Sequence, residues 1–193
     1  MAGVPLTKEM ILNSAEDAIL RFGVKKANVQ DVARALDVSH PAIYRYFESK
    51  TQLWNAVADR WLEQIAIHRN EILISTLPAD IKLHDWFLEL YTSKHDSALN
   101  DPEMFATYSA LVAESGDVLK AHLAALICDI SKIISEGVSQ GIFFIEDPDI
   151  TASSMLLAFT HFHHPAMILK WKFNEDQKSF DGVWNLVLKG LTK

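Results

Sequence analysis

Apolar residues recur at spacings of three and four along most of the chain, which is the period of amphipathic helices. The first apolar stripe, from Ile11 to Phe22, follows the N-cap candidate Thr7 and precedes Gly23, a residue type that commonly ends helices. Only the segment 142–145, with two adjacent phenylalanines, has a strand-like pattern. The pattern therefore predicts an all-α fold.

Two short helices follow the first one. Asn28 is the N-cap candidate of a helix that ends near Leu36, and Ser39 is the N-cap candidate of a helix that ends near Phe47. Helices of this length are not stable alone in water. We therefore expect both to pack on the first helix and on each other.

A long fourth helix is predicted from Ser49 onward, because apolar residues between Leu53 and Ile65 keep the helical spacing. Proline, glycine and asparagine breaks divide the remaining sequence into roughly five more helices. We therefore expect a three-helix head at residues 1–48 joined to a body of about six helices at residues 49–193.

Residues 150–169 contain no Asp, Glu, Lys or Arg, and twenty uncharged residues are long enough to span a membrane. Seven of these twenty residues are serine, threonine or histidine, and Pro165 would interrupt backbone pairing that lipid cannot replace. This composition predicts a helix buried in protein and no membrane partner. The absence of a charged and then apolar leader at residues 1–7 predicts a cytoplasmic protein.

Charge is distributed unevenly along the chain. The net charge is −7, yet residues 1–64 hold eight basic and eight acidic side chains, while the remainder holds ten basic and seventeen acidic ones. A comparatively basic head permits contact with nucleic acid. A single cysteine, Cys128, excludes a disulfide framework and zinc motifs built from cysteine pairs.

The segment 28–47 has the spacing of a helix-turn-helix. Its apolar contact positions would lock two crossed short helices, and Ala33 is small where their axes approach. Asp37 occupies the turn, where glycine is usual because the backbone is left-handed there. The apolar contact positions are Val32, Leu36, Val38 and Ile43.

Together with its flanks, this segment resembles the TetR family of bacterial transcriptional regulators. The resemblance covers roughly the first third of the chain, and beyond it only the number and length of the helices match. The residues that carry the resemblance are Ile11, Ala15, Phe22, Gly23, Asn28, Asp31, Val32, Ala33, Val38, Ser39, Ile43, Tyr44, Phe47, Ser49, Lys50 and Leu53.

The resemblance implies that the helix at residues 40–46 enters the major groove of an operator in double-stranded DNA, with its first turn facing the bases. Later residues would contact phosphates, although Tyr46 as a core aromatic and Arg45 as a solvated surface charge remain alternatives. The implied base-facing residues are His40, Pro41 and Ala42, and the implied phosphate contacts are Tyr44, Arg45, Tyr46, Lys50 and the helix N-terminus at Asn28.

Large aromatic residues lie on successive predicted helices of the body. They are core residues by default, but such a set also lines cavities for apolar ligands. The resemblance implies a small effector bound between the body helices, and we expect an apolar or aromatic compound with one polar end. The candidate effector-binding residues are Trp61, Trp86, Tyr91, Phe105 and Tyr108, with His68, Glu114 and His122 as possible polar contacts.

A homodimer is expected, because one short helix reads only a few base pairs whereas two related by a two-fold axis read a palindrome. The uncharged segment 150–169 and the apolar stripe at 180–191 are the expected interface, as a four-helix bundle across the axis. The sequence thus predicts a ligand-responsive repressor with no catalytic residues and no cofactor.

Two alternatives remain at this point. His161, His163 and His164 could serve a metal sensor or a metal-dependent enzyme. That signal is weak because no carboxylate lies between Asp149 and Glu175, so we expect a structural cluster and no metal. The second alternative is a helical protein-interaction module.

Overall fold

The computed structural model of the chain describes residues 5–168 and 173–192, with side chains for all of these except 173–176. Every regular element in the described residues is an α-helix, which confirms the predicted fold class. The helices are α1 (Lys8–Phe22), α2 (Val29–Ala35), α3 (His40–Tyr44), α4 (Lys50–Ile74), α5 (Ala79–Asn100), α6 (Pro102–Glu114), α7 (Gly116–Ser139), α8 (Pro148–Ala158), α9 (Thr160–His163), α10 (Pro165–Ile168) and α11 (Phe173–Leu191).

The described residues pack into two compact units. The first contains the chain up to Glu63 together with Glu103–Leu119, and the second contains Gln64–Pro102 and the chain from Lys120 onward. The helix α4 passes from the first unit into the second without interruption. The functional boundary expected between residues 48 and 49 remains a prediction.

Local capping chemistry sets both ends of α1. The hydroxyl of Thr7 accepts a hydrogen bond from the Met10 amide at 3.2 Å, and Gly23 ends the helix with φ of +77°. Inside the first unit, Ile11 and Ile19 of α1 are fully buried. The predicted start and end of this helix are therefore confirmed, and so is its buried face except at Phe22, which is 42% exposed.

The helix α3 is shorter than the sequence pattern predicts. It ends at Tyr44, and the amides of Tyr46 and Phe47 both donate to the carbonyl of Ile43, at 3.0 and 3.2 Å. Both amides bond to the same carbonyl, and the regular helix ends within this last turn. Phe47 is buried as a result and belongs to the core of the first unit.

Aromatic side chains dominate the core of the second unit. Phe87 of α5 stacks on Phe159 with ring centroids 4.3 Å apart, and Tyr91 stacks on Phe180 of α11 at 5.8 Å. Trp86 is also completely buried. The α11 stripe that the sequence assigns to a dimer interface is thus used inside the chain: Phe180, Trp184 and Leu191 are all buried.

The strand-like segment 142–145 forms no strand. It is an irregular connection in which Phe143 is buried against Gly137 of α7. The amide of Phe144 donates to the carbonyl of Leu191 at 2.9 Å. The Phe143 ring and the Phe144 backbone amide therefore hold this connection against the helices, while the Phe144 side chain is exposed.

The uncharged segment 150–169 is broken into three helices, and its last residue lies outside the described part of the chain. Phe159, with φ −89° and ψ +6°, ends α8, and His164 takes an extended conformation because Pro165 follows it. Among the described residues, no helix is both long and apolar enough to cross a bilayer.

The second unit has exposed apolar and thiol side chains on α7, α8 and α11. Leu157 of α8 and Leu186 of α11 are 74% and 73% exposed. Cys128 on α7 is also exposed, although its neighbours Leu126 and Ile130 are buried. Cys128 therefore lies on the outer face of α7.

The contact between Gly137 and Phe143 generates a stability prediction. A Cβ atom added at Gly137 would lie 2.1 Å from the Phe143 ring, so Gly137→Ala should lower the free energy of unfolding by about 1–3 kcal/mol. The matched control is Gly116→Ala, where a Cβ meets nothing within 4 Å. Urea denaturation of both variants checks this, and equal stabilities would contradict it.

Candidate functional site

The turn between α2 and α3 is a Schellman motif. The amide of Val38 donates to the carbonyl of Ala33 at 3.0 Å, and the amide of Asp37 donates to the carbonyl of Arg34 at 3.3 Å. Asp37 has φ of +51°, the left-handed conformation expected for this turn. The motif fixes the direction in which the chain leaves α2 and enters α3.

The N-terminus of α2 is held by a reciprocal capping box. The side-chain oxygen of Asn28 accepts from the amides of Gln30 and Asp31, and a carboxylate oxygen of Asp31 accepts from the Asn28 amide at 3.1 Å. The predicted cap is confirmed. Because the capping box uses the Asn28 side chain, an anion at this position would be attracted by the N-terminus of α2 and not by the Asn28 side chain.

One face of α3 points into solvent. His40, Pro41, Tyr44 and Arg45 are all exposed, and the rings of His40 and Tyr44 meet edge to face with centroids 5.0 Å apart. Beneath them Ile43 is 1% exposed and anchors the helix in the core. The structure therefore brings four of the predicted contact residues together on one surface.

The other predicted contact residues are engaged within the first unit. Ala42 is 8% exposed, so its methyl group offers little surface to a base. The Tyr46 hydroxyl donates to the carbonyl of Leu6 at 2.5 Å. The ammonium of Lys50 donates to the carbonyl of Ala27 at 2.6 Å and lies 5.2 Å from the ring centroid of Trp54.

Sequence reasoning overlooked three exposed cations that lie on α2 or just before it in the chain. Lys25 and Lys26 immediately precede the Ala27 carbonyl that Lys50 holds, and both are exposed. Arg34 on α2 is also exposed and lies 3.4 Å from Asp31. The adjacent lysine pair in front of the Asn28 cap was the signal that could have revealed them.

Three of the five candidate effector residues form a cluster in the first unit. The ring of Trp61 stacks on Tyr108 at 5.2 Å and meets Phe105 edge-on at 5.9 Å. The hydroxyl of Tyr108 donates to Glu16, which also pairs with Arg60. Burial and the hydrogen bond to Glu16 raise the pKa of Tyr108. The cluster therefore links α4 to α6 through ring contacts and links both to α1 through Glu16.

The remaining two candidates, Trp86 and Tyr91, are buried in the second unit. They lie beside charged groups that sequence reasoning did not single out: Arg69 of α4 has its guanidinium carbon 5.8 Å from the centroid of the Trp86 ring. Lys94 follows Tyr91 by three residues on α5, and both cations are buried. The only sequence signal for Arg69 and Lys94 was that a charged residue occupies a helix position that faces the core.

Of the three polar residues proposed for an effector site, one joins these cations. His122 is half-buried, and burial together with the nearby Lys94 and Arg69 lowers its pKa to about 3. His68 instead is exposed and 3.3 Å from Glu71. Glu114 is exposed too and lines a shallow groove of the first unit.

The histidine cluster of α9 does not converge. His163 is buried with its Nε2 3.2 Å from the Leu156 carbonyl, and burial lowers its pKa to about 4. The exposed His164 accepts at Nδ1 from the Ala166 amide. Within the described residues, no group of three histidine, cysteine, aspartate or glutamate side chains is placed to hold a metal ion.

Family models match both parts of the chain. Residues 11–57 match the model of bacterial regulatory proteins of the tetR family, and residues 79–184 match a tetracyclin repressor-like C-terminal domain. Among curated proteins, the uncharacterized HTH-type transcriptional regulator YhgD of Bacillus subtilis (strain 168) is 22% identical over 191 residues, which is 96% of each chain.

Solved structures share the fold over nearly the whole length. A candidate TetR-family regulator of Mesorhizobium loti has a TM-score of 0.70 at 14% identity and 96% coverage of both chains. SmeT, the repressor of the Stenotrophomonas maltophilia multidrug efflux pump SmeDEF, has a TM-score of 0.69 at 17% identity, with 97% and 91% coverage. FadR of Bacillus subtilis in complex with stearoyl-CoA has 0.58 at 17% identity, with 97% and 98% coverage.

The left-handed backbone at Asp37 generates a prediction. Glycine adopts φ of +51° without steric cost, so Asp37→Gly should raise the free energy of unfolding by about 1 kcal/mol. Asp37→Val should lower it, because a β-branched side chain is strained in this region. Urea denaturation of the two variants measures both, and an Asp37→Gly variant that is less stable than the parent would contradict the role of the turn.

Proposed function

The chain belongs to the TetR family of bacterial DNA-binding transcriptional regulators, and we propose that it acts as a repressor on a palindromic operator under the control of a small effector. The observation that carries the proposal is the exposed face of α3, presented by a helix whose opposite side is buried. Binding of this kind takes place on chromosomal DNA, so we place the protein in the cytoplasm. It needs no catalytic residue.

The residues that contact base edges are His40 and Pro41, the exposed residues of the first turn of α3. A histidine ring can donate or accept a hydrogen bond at a base edge, and proline offers apolar contact to a thymine methyl. The burial of Ala42 supports a role beneath these residues, where a small side chain allows close packing.

The residues that contact phosphates are Tyr44, Arg45 and the cations near the start of α2. Lys50 can reach a phosphate only by sharing or releasing the Ala27 carbonyl, whereas Lys25 and Lys26 are already exposed. Such contacts position the protein on DNA without reading sequence. We therefore assign orientation to these cations and sequence preference to α3.

A homodimer is supported by the outer faces of α8 and α11. Ile150, Ser153, Ser154 and Leu157 are exposed at helical spacing on α8. On α11, Leu186 is exposed one turn after Gly182, where small residues permit close approach of another helix. Pairing of these faces across a two-fold axis would form a four-helix bundle.

Control by an effector requires that ligand binding in the body changes the spacing of two recognition helices. The uninterrupted helix α4, from Lys50 to Ile74, provides a rigid element for such coupling. A tenfold change in operator affinity needs a preference of only about 1.4 kcal/mol for one state. The buried aromatic residues Trp86 and Tyr91 provide the apolar surroundings for the ligand.

The division of labour within the head can be tested by substitution. Arg45→Ala should weaken binding to all DNA and lower the slope of log affinity against log salt by about one. His40→Ala should instead change the preferred base at one position, at a cost of about 1–3 kcal/mol. Fluorescence anisotropy at several salt concentrations measures both, on an operator selected from random DNA.

The control for these variants is Lys120→Ala, which removes an exposed lysine outside the head. It should leave both affinity and salt slope unchanged. Arg45 is preferred to Lys50 because Lys50→Ala would also remove the hydrogen bond to Ala27. Unchanged affinity of both Arg45→Ala and His40→Ala for operator and random DNA would show that α3 is not the reading helix.

The dimer surface is tested by placing charge in it. Leu157→Asp and Leu186→Asp should each weaken dimerisation by about 3 kcal/mol, more than a hundredfold, because two carboxylates would be desolvated at the two-fold axis. Leu99→Asp on α5, where the parent residue is 66% exposed, is the control. Sedimentation velocity reads the oligomeric state, and dimers that persist in both variants would locate the interface elsewhere.

A further inference from the structure

Two buried lysines of α5 differ in how their charge is compensated. Lys82 is 2% exposed, and its ammonium donates to both carboxylate oxygens of Glu136, at 3.0 and 2.8 Å. Lys94 is 6% exposed and donates to the backbone carbonyl of His163 at 3.3 Å. No carboxylate among the described residues lies within ion-pair distance of Lys94. Its charge is buried without a counter-charge in contact.

A second buried cation lies close by. Arg69 is 3% exposed, and its Nη1 has no hydrogen-bond partner within the part of the chain that the structure describes. Asp129 and Glu89 act on it electrostatically, but neither forms an ion pair with it, and Asp129 instead lies 3.6 Å from Lys132. Arg69 and Lys94 are near enough that Arg69 lowers the pKa of Lys94. Two positive charges therefore share one buried region.

The neighbouring polar atoms are also unsatisfied. Nε2 of His122 and Nε1 of Trp86 are buried, and neither has a hydrogen-bond partner among residues 5–168 and 177–192. Burial lowers the pKa of Lys94 to about 7, far below the usual value for lysine. A buried cation without an anion is costly, and natural proteins usually compensate it. The arrangement is typical of a site that is completed by a negatively charged ligand.

We propose that Arg69 and Lys94, assisted by His122 and the indole of Trp86, bind the carboxylate group of an organic acid that serves as the effector. This inference rests on the proposed function, because it names the chemical class of the small molecule. The two oxygens of a carboxylate can accept hydrogen bonds from Arg69 and Lys94 together. A neutral ligand would leave Lys94 without a counter-charge in contact.

The rest of the ligand should be apolar. Tyr91 lies one turn before Lys94 on α5, and its ring stacks on Phe180 and meets Phe162 edge-on. Phe159 packs on both phenylalanines. The carboxylate site is therefore bordered by aromatic rings, which suit an aliphatic or aromatic tail.

The first test needs no ligand. Lys94→Met should raise the thermal midpoint of the unliganded protein, by about 2–4 °C for a chain of this size, because it removes an uncompensated buried charge. Lys82→Met is the matched control and should lower the midpoint, because it leaves Glu136 unpaired. If Lys94→Met is destabilised as much as Lys82→Met, Lys94 is already compensated and the proposal is wrong.

The second test uses matched ligand pairs. Benzoate, phenylacetate, octanoate and dodecanoate are each compared with their primary amide by thermal shift and tryptophan fluorescence, at constant ionic strength. At least one carboxylate should raise the midpoint and its amide should not. The shift should be lost in Lys94→Met and in Arg69→Met, which should remain folded by circular dichroism. Equal shifts by acid and amide, no shift by any acid, or an equal shift by sodium chloride or phosphate would overturn the proposal.

Affinity for the acid should also depend on pH. A bound carboxylate stabilises protonated Lys94, so affinity should fall as pH rises above about 7, and Lys94→Met should remove this part of the dependence. The titratable groups that act electrostatically with Lys94 are Arg69 on α4, His122 on α7 and His163 on α9, while Asp129 and Glu89 act on Arg69. A pH profile that is the same in Lys94→Met would contradict the assignment.

Operator binding separates this inference from the proposed function. A carboxylate that binds through Lys94 and changes operator affinity supports both. Neutral compounds that control operator binding while no carboxylate binds would overturn the anion site and leave the proposed function standing. A carboxylate that binds through Lys94 without any effect on operator affinity would support the site and overturn its role as the effector site.

Discussion

The short helices α2 and α3 depend on an apolar core that they share with α1 and the first turns of α4. Helices of seven and five residues are not stable alone in water, so the burial of Val32 and Ile43 in the core of the first unit supplies the stability that the local sequence does not. The Schellman turn at Asp37 then sets the direction of α3. The exposed face of α3 exists because its opposite face is committed to this core.

Local chemistry explains how much could be predicted from sequence. Thr7 and Asn28 were recognised as caps because a cap depends on side chains within three residues of it. The left-handed turn at Asp37 was predicted for the same reason. The all-α class and the long α4 followed from apolar spacing, which depends on neighbours along the chain and not on tertiary contacts.

What sequence could not provide depends on distant partners. The hydrogen bond of Lys50 to Ala27 crosses 23 residues, and that of Tyr46 to Leu6 crosses 40. Nothing in their spacing indicates either. Lys82 and Lys94 look alike in sequence, yet only one has a carboxylate beside it in the described structure. The apolar stripe of α11 likewise fits a core as well as an interface.

The exposed thiol on α7 gives the protein a single chemical handle. Because the sequence holds one cysteine and Cys128 is accessible, a maleimide spin label or dye would attach at one position in each chain. In a homodimer the two labels would report one distance across the symmetry axis. That distance, followed with and without DNA or an organic acid, would measure the change in subunit geometry directly and without further mutation.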